Sequence, residues 1–174
     1  LLGSKGDQAE KEVYFTIKEY YNLNPGRTAL VITDLQMLQP DLEKRKLLGK
    51  DSQEMDIIIL DYLSQTIYVI EVKTTLNKDS LQKVKEQLPN YKKFFDEWFG
   101  SDICELWKFK SFAYCKDVEP GVRFCSECRG FILHGKEELL KALTDGNISQ
   151  SIGNFLFICY QMYYHFFRPD ELFY

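Results

Sequence analysis

The stretch "EMDIIILDYLSQTIYVIEVKTTL" (residues 54–76) is two very apolar runs around a short polar break. Runs this rich in Ile, Val and Tyr, separated by Ser64 and its neighbours, predict two strands, about 54–62 and 66–74, joined by a tight turn. The first strand nevertheless opens on Asp56, and the second closes on Glu71 and Lys73.

Side chains on a strand alternate faces, so Ile67, Val69, Glu71 and Lys73 share one face and Tyr68, Ile70 and Val72 the other. Glu71 and Lys73 then stand about 7 Å apart along the strand. Facing residues in an antiparallel hairpin keep a constant index sum. A two-residue turn at Leu63-Ser64 therefore sets Asp56 opposite Glu71. A turn at Ser64-Gln65 sets it opposite Lys73 and diagonal to Glu71. Either register brings the two carboxylates within reach of one small ion. Carboxylates that close repel unless a proton or a cation sits between them. A hard divalent cation, Mg²⁺ or Mn²⁺, suits such oxygen ligands and keeps several waters. Lys73 stands where it can orient or help deprotonate one of those waters.

Working outward, "GDQAEKEVYFTIKEYYNL" (6–23) carries Val13, Ile17 and Tyr20 or Tyr21 at helical spacing, and "NPG" (24–26) stops it. "RTALVITDLQML" (27–38) is β-rich, and "QPDLEKRKLLGKDSQ" (39–53) is a polar connection. After Asn77 the period changes to a helical stripe of Leu81, Val84, Leu88, Tyr91, Phe95 and Trp98, with Asn77 or Asp79 as N-cap. Pro89 is expected to kink or split this helix, and Gly100 to end it. "CELWKFKSFAYC" (104–115) and "GFILHG" (130–135) predict strands; "KEELLKAL" (136–143) and the segment 149–167 predict helices. The order is helix, three strands, helix, two strands, helices, an α/β chain.

Asp-x14-Glu-Val-Lys, from Asp56 to Lys73, resembles the signature of the PD-(D/E)xK nuclease superfamily, with Met55 where that signature has proline. "GDQAE" places Glu10 on the first helix, as in NERD-type nuclease-related domains, with Glu12 as its rival. "QLPNY" (87–91) is similar to the Q-x-x-x-Y motif of RecB-like nucleases, and residues four apart share a helix face. The resemblance covers about residues 6 to 115. It implies a restriction-endonuclease-like core: a central mixed sheet with an antiparallel meander, flanked by helices. It also implies a metal-dependent nuclease acting on DNA or RNA. Asp56, Glu71 and Lys73 would be catalytic. Asp56, Glu71, the Val72 carbonyl and Glu10 would bind metal. Gln87 and Tyr91 would hold the site or the substrate. The alternative is a catalytically weak or inactive module on that fold, serving nucleic-acid binding or assembly.

The 174 residues fit one domain, and the chain opens on Leu1 rather than Met, which suggests a segment of a larger protein. A net charge of -4 excludes a basic field over the whole surface, so any polyanion site is local. Between Lys78 and Lys93 five lysines face two acids. Lys83, Lys85, Lys92 and Lys93 could line a phosphate track or form a solvated face. Five cysteines, with no signal peptide, fit an intracellular, reducing compartment, cytoplasm or nucleus. Cys115, Cys125, Cys128 and His134 could complete a structural Zn²⁺ site, but the spacing matches no standard finger, and free thiols are the favoured reading. "FLFICYQMYYHFF" (155–167) is too short to span a bilayer. It is expected to be a helix that contacts the core, a second copy or a neighbouring domain.

Overall fold

The computed structural model describes residues 5–38, 52–124 and 126–145. The expected C-terminal helix and Cys125 lie outside the described residues.

The chain is α/β, with a five-stranded mixed sheet between two helical layers. Helix α1 (Lys5–Leu23) buries Ala9, Val13, Ile17 and Tyr21, one residue per turn. Asn24 stops it, and its side-chain amide donates to the Tyr20 carbonyl at 2.7 Å. Strands β1 (Ala29–Leu38), β2 (Ser52–Asp61) and β3 (Thr66–Leu76) form an antiparallel meander. Helix α2 (Lys78–Leu106) returns the chain to β4 (Lys108–Val118), which lies parallel to β3. A single turn, α3 (Ser126–Arg129), precedes β5 (Ile132–His134), parallel to β4, and α4 (Gly135–Asp145) follows. The sheet order is β1-β2-β3-β4-β5.

The two faces of β3 make two cores. Ile67 and Val69 pack with Leu81, Val84, Leu88, Tyr91 and Phe95 of α2. Tyr68, Ile70 and Val72 pack with α1 and with Leu139 and Leu143 of α4. A strand apolar on both faces is what a position between two helical layers requires.

Three boundaries differ from expectation. Helix α2 runs on past Gly100 to Leu106, and β4 begins at Lys108. One glycine costs a helix interior only about 1 kcal/mol, which the long buried stripe outweighs. The helix also passes through Pro89 without splitting. Pro89 lies on the exposed face, where its ring meets solvent. The N-cap is Asn77, whose Oδ1 accepts the Ser80 N–H while Ser80 Oγ accepts the Asn77 N–H, both at 2.8 Å.

The third difference shapes the site. β3 does not end at Lys73 but continues to Leu76, paired with β4 throughout. The β2–β3 ladder stops earlier, at Ile57↔Ile70, while β1 and β2 stay paired out to Leu38↔Ser52. The sheet therefore forks, with β1–β2 forming one limb and β3–β4–β5 the other.

Candidate active site

Asp56 and Glu71 sit at the mouth of the fork. Extending the observed β2–β3 register by one step sets them opposite each other, the first of the two registers the sequence allowed. With the backbone ladder ended, the Asp56 carboxylate takes over one bond: its Oδ2 accepts the Val72 N–H at 2.7 Å. Glu71 is buried, with 6% of its surface exposed. Its Oε1 accepts from Lys73 Nζ at 2.9 Å, and its Oε2 accepts the Tyr91 hydroxyl at 2.5 Å. Lys73 itself is half-buried.

Glu10 reaches the fork from α1. Glu10, not Glu12, joins the acidic cluster: Glu12 is exposed and pairs with Lys116 at 3.6 Å. Glu10 lies close to Asp34 of β1 and feels the charges of Asp34, Asp7 and Glu54. Burial and these charges push its carboxyl up to about 7. Asp56 is likewise pushed up to about 7, first by burial and then by Glu71, although the Val72 N–H and Lys73 pull the other way. Burial and Glu71 hold the Tyr91 phenol far above its ordinary range, so Tyr91 remains a donor.

Negative charge is thus in excess. Every candidate donor is an oxygen, the chemistry a hard divalent cation takes. Side chains that repel their own ionisation are the kind a cation relieves. Among the described residues no three His, Cys, Asp or Glu side chains are gathered in ion-binding geometry. In this arrangement Asp56 and Glu71 are instead turned to Val72, Lys73 and Tyr91.

The remaining candidates are spread along α2. Gln87 stands one turn before Tyr91, and its Oε1 is buried without a hydrogen-bond partner. Lys83 and Lys85 are exposed on the same helix, as is Lys93. Lys92 bonds to Asp96 at 2.9 Å and is committed within its own helix. A cleft of about 420 Å³ opens between α2 and β4, lined by Lys85, Leu88, Pro89, Ser111, Cys128 and Phe131.

Among the described residues, Cys115, Cys128 and His134 are not gathered as a metal centre. Cys115 and Cys128 lie in the apolar core beneath α2. Cys115 donates to the Leu133 carbonyl at 3.8 Å, and burial pushes its thiol up to about 11, which disfavours the thiolate that zinc needs. His134 pairs with Cys115 in the β4–β5 ladder but is exposed.

Two features escaped the sequence. Asp34 was one polar residue in a β-rich run, with only its charge to mark it. Arg27 and Asp61 form a buried ion pair of 2.6 Å at the far end of the sheet. An acid ending an apolar strand was its sole signal. The chain matches no protein-family model, no curated protein and no solved structure. Among the described residues no helix is long and apolar enough to cross a membrane.

Proposed function

We propose that the chain is a metal-dependent nuclease domain with a restriction-endonuclease-like core, hydrolysing phosphodiester bonds of DNA or RNA. The observation that carries this reading is the position of Asp56 opposite Glu71, one step beyond the last β2–β3 pair, with Lys73 2.9 Å from Glu71. The element order (helix, three-stranded meander, helix, parallel strands) supports it.

Asp56, Glu71 and the Val72 carbonyl would hold Mg²⁺ or Mn²⁺, with Glu10 binding directly or through water. When bound, the ion supplies Lewis-acid polarisation and charge neutralisation at the scissile phosphate. The chain's own groups do the rest. Lys73 offers Nζ–H groups that orient the attacking water and hold positive charge beside the phosphoryl oxygens. Tyr91 fixes the Glu71 carboxylate by donating to Oε2. The half-buried setting of Asp56 and Lys73 limits competing water around these charges. Gln87, Lys83 and Lys85, on the helix that carries Tyr91, would contact the substrate backbone.

A second reading has its own observation. Both Glu71 oxygens are already engaged, one by a salt bridge to Lys73. A module with that bridge fixed would be catalytically weak or inactive, and would serve nucleic-acid binding or assembly. Cleavage of generic DNA and RNA with Mg²⁺ or Mn²⁺, beside a Lys73→Ala control, separates the two. Metal-dependent cleavage lost in the variant supports the nuclease. Nucleic-acid binding with no cleavage by either protein supports the second reading.

A further inference from the structure

Resting on the nuclease reading above, we propose that the cleft between α2 and β4 is a subsite for one unpaired nucleobase, so that the substrate is single-stranded there. Its volume of about 420 Å³ is that of a small-ligand pocket. The cleft exists because β5 is short. β5 pairs with β4 only at Ala113, Tyr114 and Cys115, so among the described residues that ladder stops two positions short of Ser111. The Phe131 carbonyl accepts the Ala113 N–H at 2.8 Å, which fixes Phe131 at the edge of the notch.

The notch adjoins the acidic site. In the parallel β3–β4 register Ala113 lies beside Glu71 and Ser111 beside Val69. Ser111 shares its sheet face with Ala113 and Cys115, which belong to the α2 core. It is one strand over and two residues along from Glu71, about 8 Å by sheet spacing. A nucleotide adjoining the scissile phosphate reaches that far.

The polar groups of the cleft are the second observation. Pro89 has no N–H, so the Lys85 carbonyl, four residues earlier, lacks its helical donor. That carbonyl lies on α2 between Lys85 and Pro89, and both residues line the cleft. The helix gains nothing from this: Pro89 is on the exposed face, where alanine would be the better helix former. The cleft therefore combines one backbone acceptor and one hydroxyl, Ser111, with apolar walls of Leu88, Pro89 and Phe131.

Every base carries an N–H donor on its Watson–Crick edge. In a duplex that edge is occupied, and only an unpaired base can turn it to the Lys85 carbonyl and Ser111. The flat face of any base can stack on Phe131, so the cleft reads strandedness rather than sequence. Lys85 is exposed, which leaves its ammonium at the rim for the phosphate that accompanies the base.

Fluorescence anisotropy in EDTA, which holds off metal-dependent cleavage, tests the proposal with short labelled DNA and RNA, each single-stranded and as its own duplex. Wild type should bind the single strands about tenfold or more tightly than the duplexes. Phe131→Ala should weaken single-strand binding about tenfold, the scale of one lost base–aromatic stack, and leave duplex binding unchanged. Pro89→Ala returns an N–H to the Lys85 carbonyl. It should melt higher than wild type yet bind single strands about threefold or more weakly, a combination that a purely structural role does not give. Equal affinity for single strands and duplexes, no binding of either, or wild-type single-strand binding in both variants would each overturn the proposal. Cleavage by wild type with Mn²⁺ would then leave the nuclease reading standing. Selective single-strand binding, lost in the variants, by a protein that cleaves nothing with Mn²⁺ would support the base site and overturn the nuclease reading instead.

Discussion

Asp56 Oδ2 accepts the Val72 N–H at 2.7 Å, across the gap where β2 has stopped pairing with β3. A side chain replaces a backbone rung there, and it does so with a carboxylate facing a second, buried carboxylate, Glu71. That juxtaposition costs stability in the metal-free protein.

The first prediction follows from its sign. Unfolded, Asp56 loses its proton near 3.8; folded, it holds it to about 7. The folded state binds the extra proton between those values, so stability should fall as pH rises from about 4 to 7 and then level off. Asp56→Asn keeps an acceptor for Val72 and removes the charge. It should raise metal-free stability at pH 7.5 by at least about 1 kcal/mol, or about 2–4 °C in Tm, and flatten the slope from pH 4 to 7. Melting curves across that range check it; a variant less stable than wild type at pH 7.5 would show that the charge is compensated.

Divalent ions should reverse that penalty. Wild type should bind Mn²⁺ and melt higher in its presence, because a ligand of the native state stabilises it by mass action. Asp56→Asn combined with Glu71→Gln should abolish both effects. Unchanged Mn²⁺ binding in that double variant would remove these carboxylates from the metal assignment.

Lys73→Ala should lower the cleavage rate by about 10²-fold or more, the scale of a positioned proton-transfer or charge-stabilising group. Lys73 is not at a strand end, since β3 pairs with β4 past it to Leu76. Alanine retains those backbone bonds, so the fold should persist. A variant that melts and cleaves as wild type would exclude lysine from the mechanism.

Tyr91→Phe should separate positioning from chemistry. It removes the donor to Glu71 Oε2 and nothing else of the ring's packing in the α2 core. A lost hydrogen bond to a charged group predicts about 1.5–3 kcal/mol of destabilisation. Because Glu71 loses its anchor, the Mn²⁺ concentration for half-maximal cleavage should rise as well. A stability loss with unaltered metal dependence would make Tyr91 a core residue only.

The hairpin was legible because its grammar is local. Alternation sorted Glu71 from Val72, while two turn registers stayed open, and the structure has the one that sets Asp56 opposite Glu71. The Leu81-to-Phe95 stripe likewise gave α2 and its buried face. The fork was not legible, because it depends on β2 and β3 preferring different neighbours, β1 and β4, beyond the shared hairpin. Asp34 was hidden for a related reason: a single left-handed residue (φ +53°) leaves no trace in a hydrophobic pattern. The end of α2 is not legible because a lone glycine such as Gly100 reads as a stop, whereas the helix carries it and runs on to Leu106.

The last prediction concerns the opposite pole, where the molecule is held together rather than opened. Arg27 and Asp61 are fully buried and 2.6 Å apart. Asp61 also accepts from the Tyr21 hydroxyl at 2.8 Å and the Ser64 N–H at 3.0 Å, and Arg27 donates to the Leu143 carbonyl at 2.9 Å. This network ties α1, the β2–β3 turn and α4 to one point. Removing one partner leaves the other charge buried and uncompensated, so Arg27→Ala should cost about 3–5 kcal/mol. Replacing both, as Arg27→Met with Asp61→Leu, removes that penalty and should recover a large part of the loss. Neither change touches the fork, so Mn²⁺ affinity measured below the melting temperature should stay at the wild-type value. Urea titrations of the single and double variants decide it: a double variant no more stable than Arg27→Ala would mean that the hydrogen bonds to Tyr21, Ser64 and Leu143, rather than charge pairing, hold this pole.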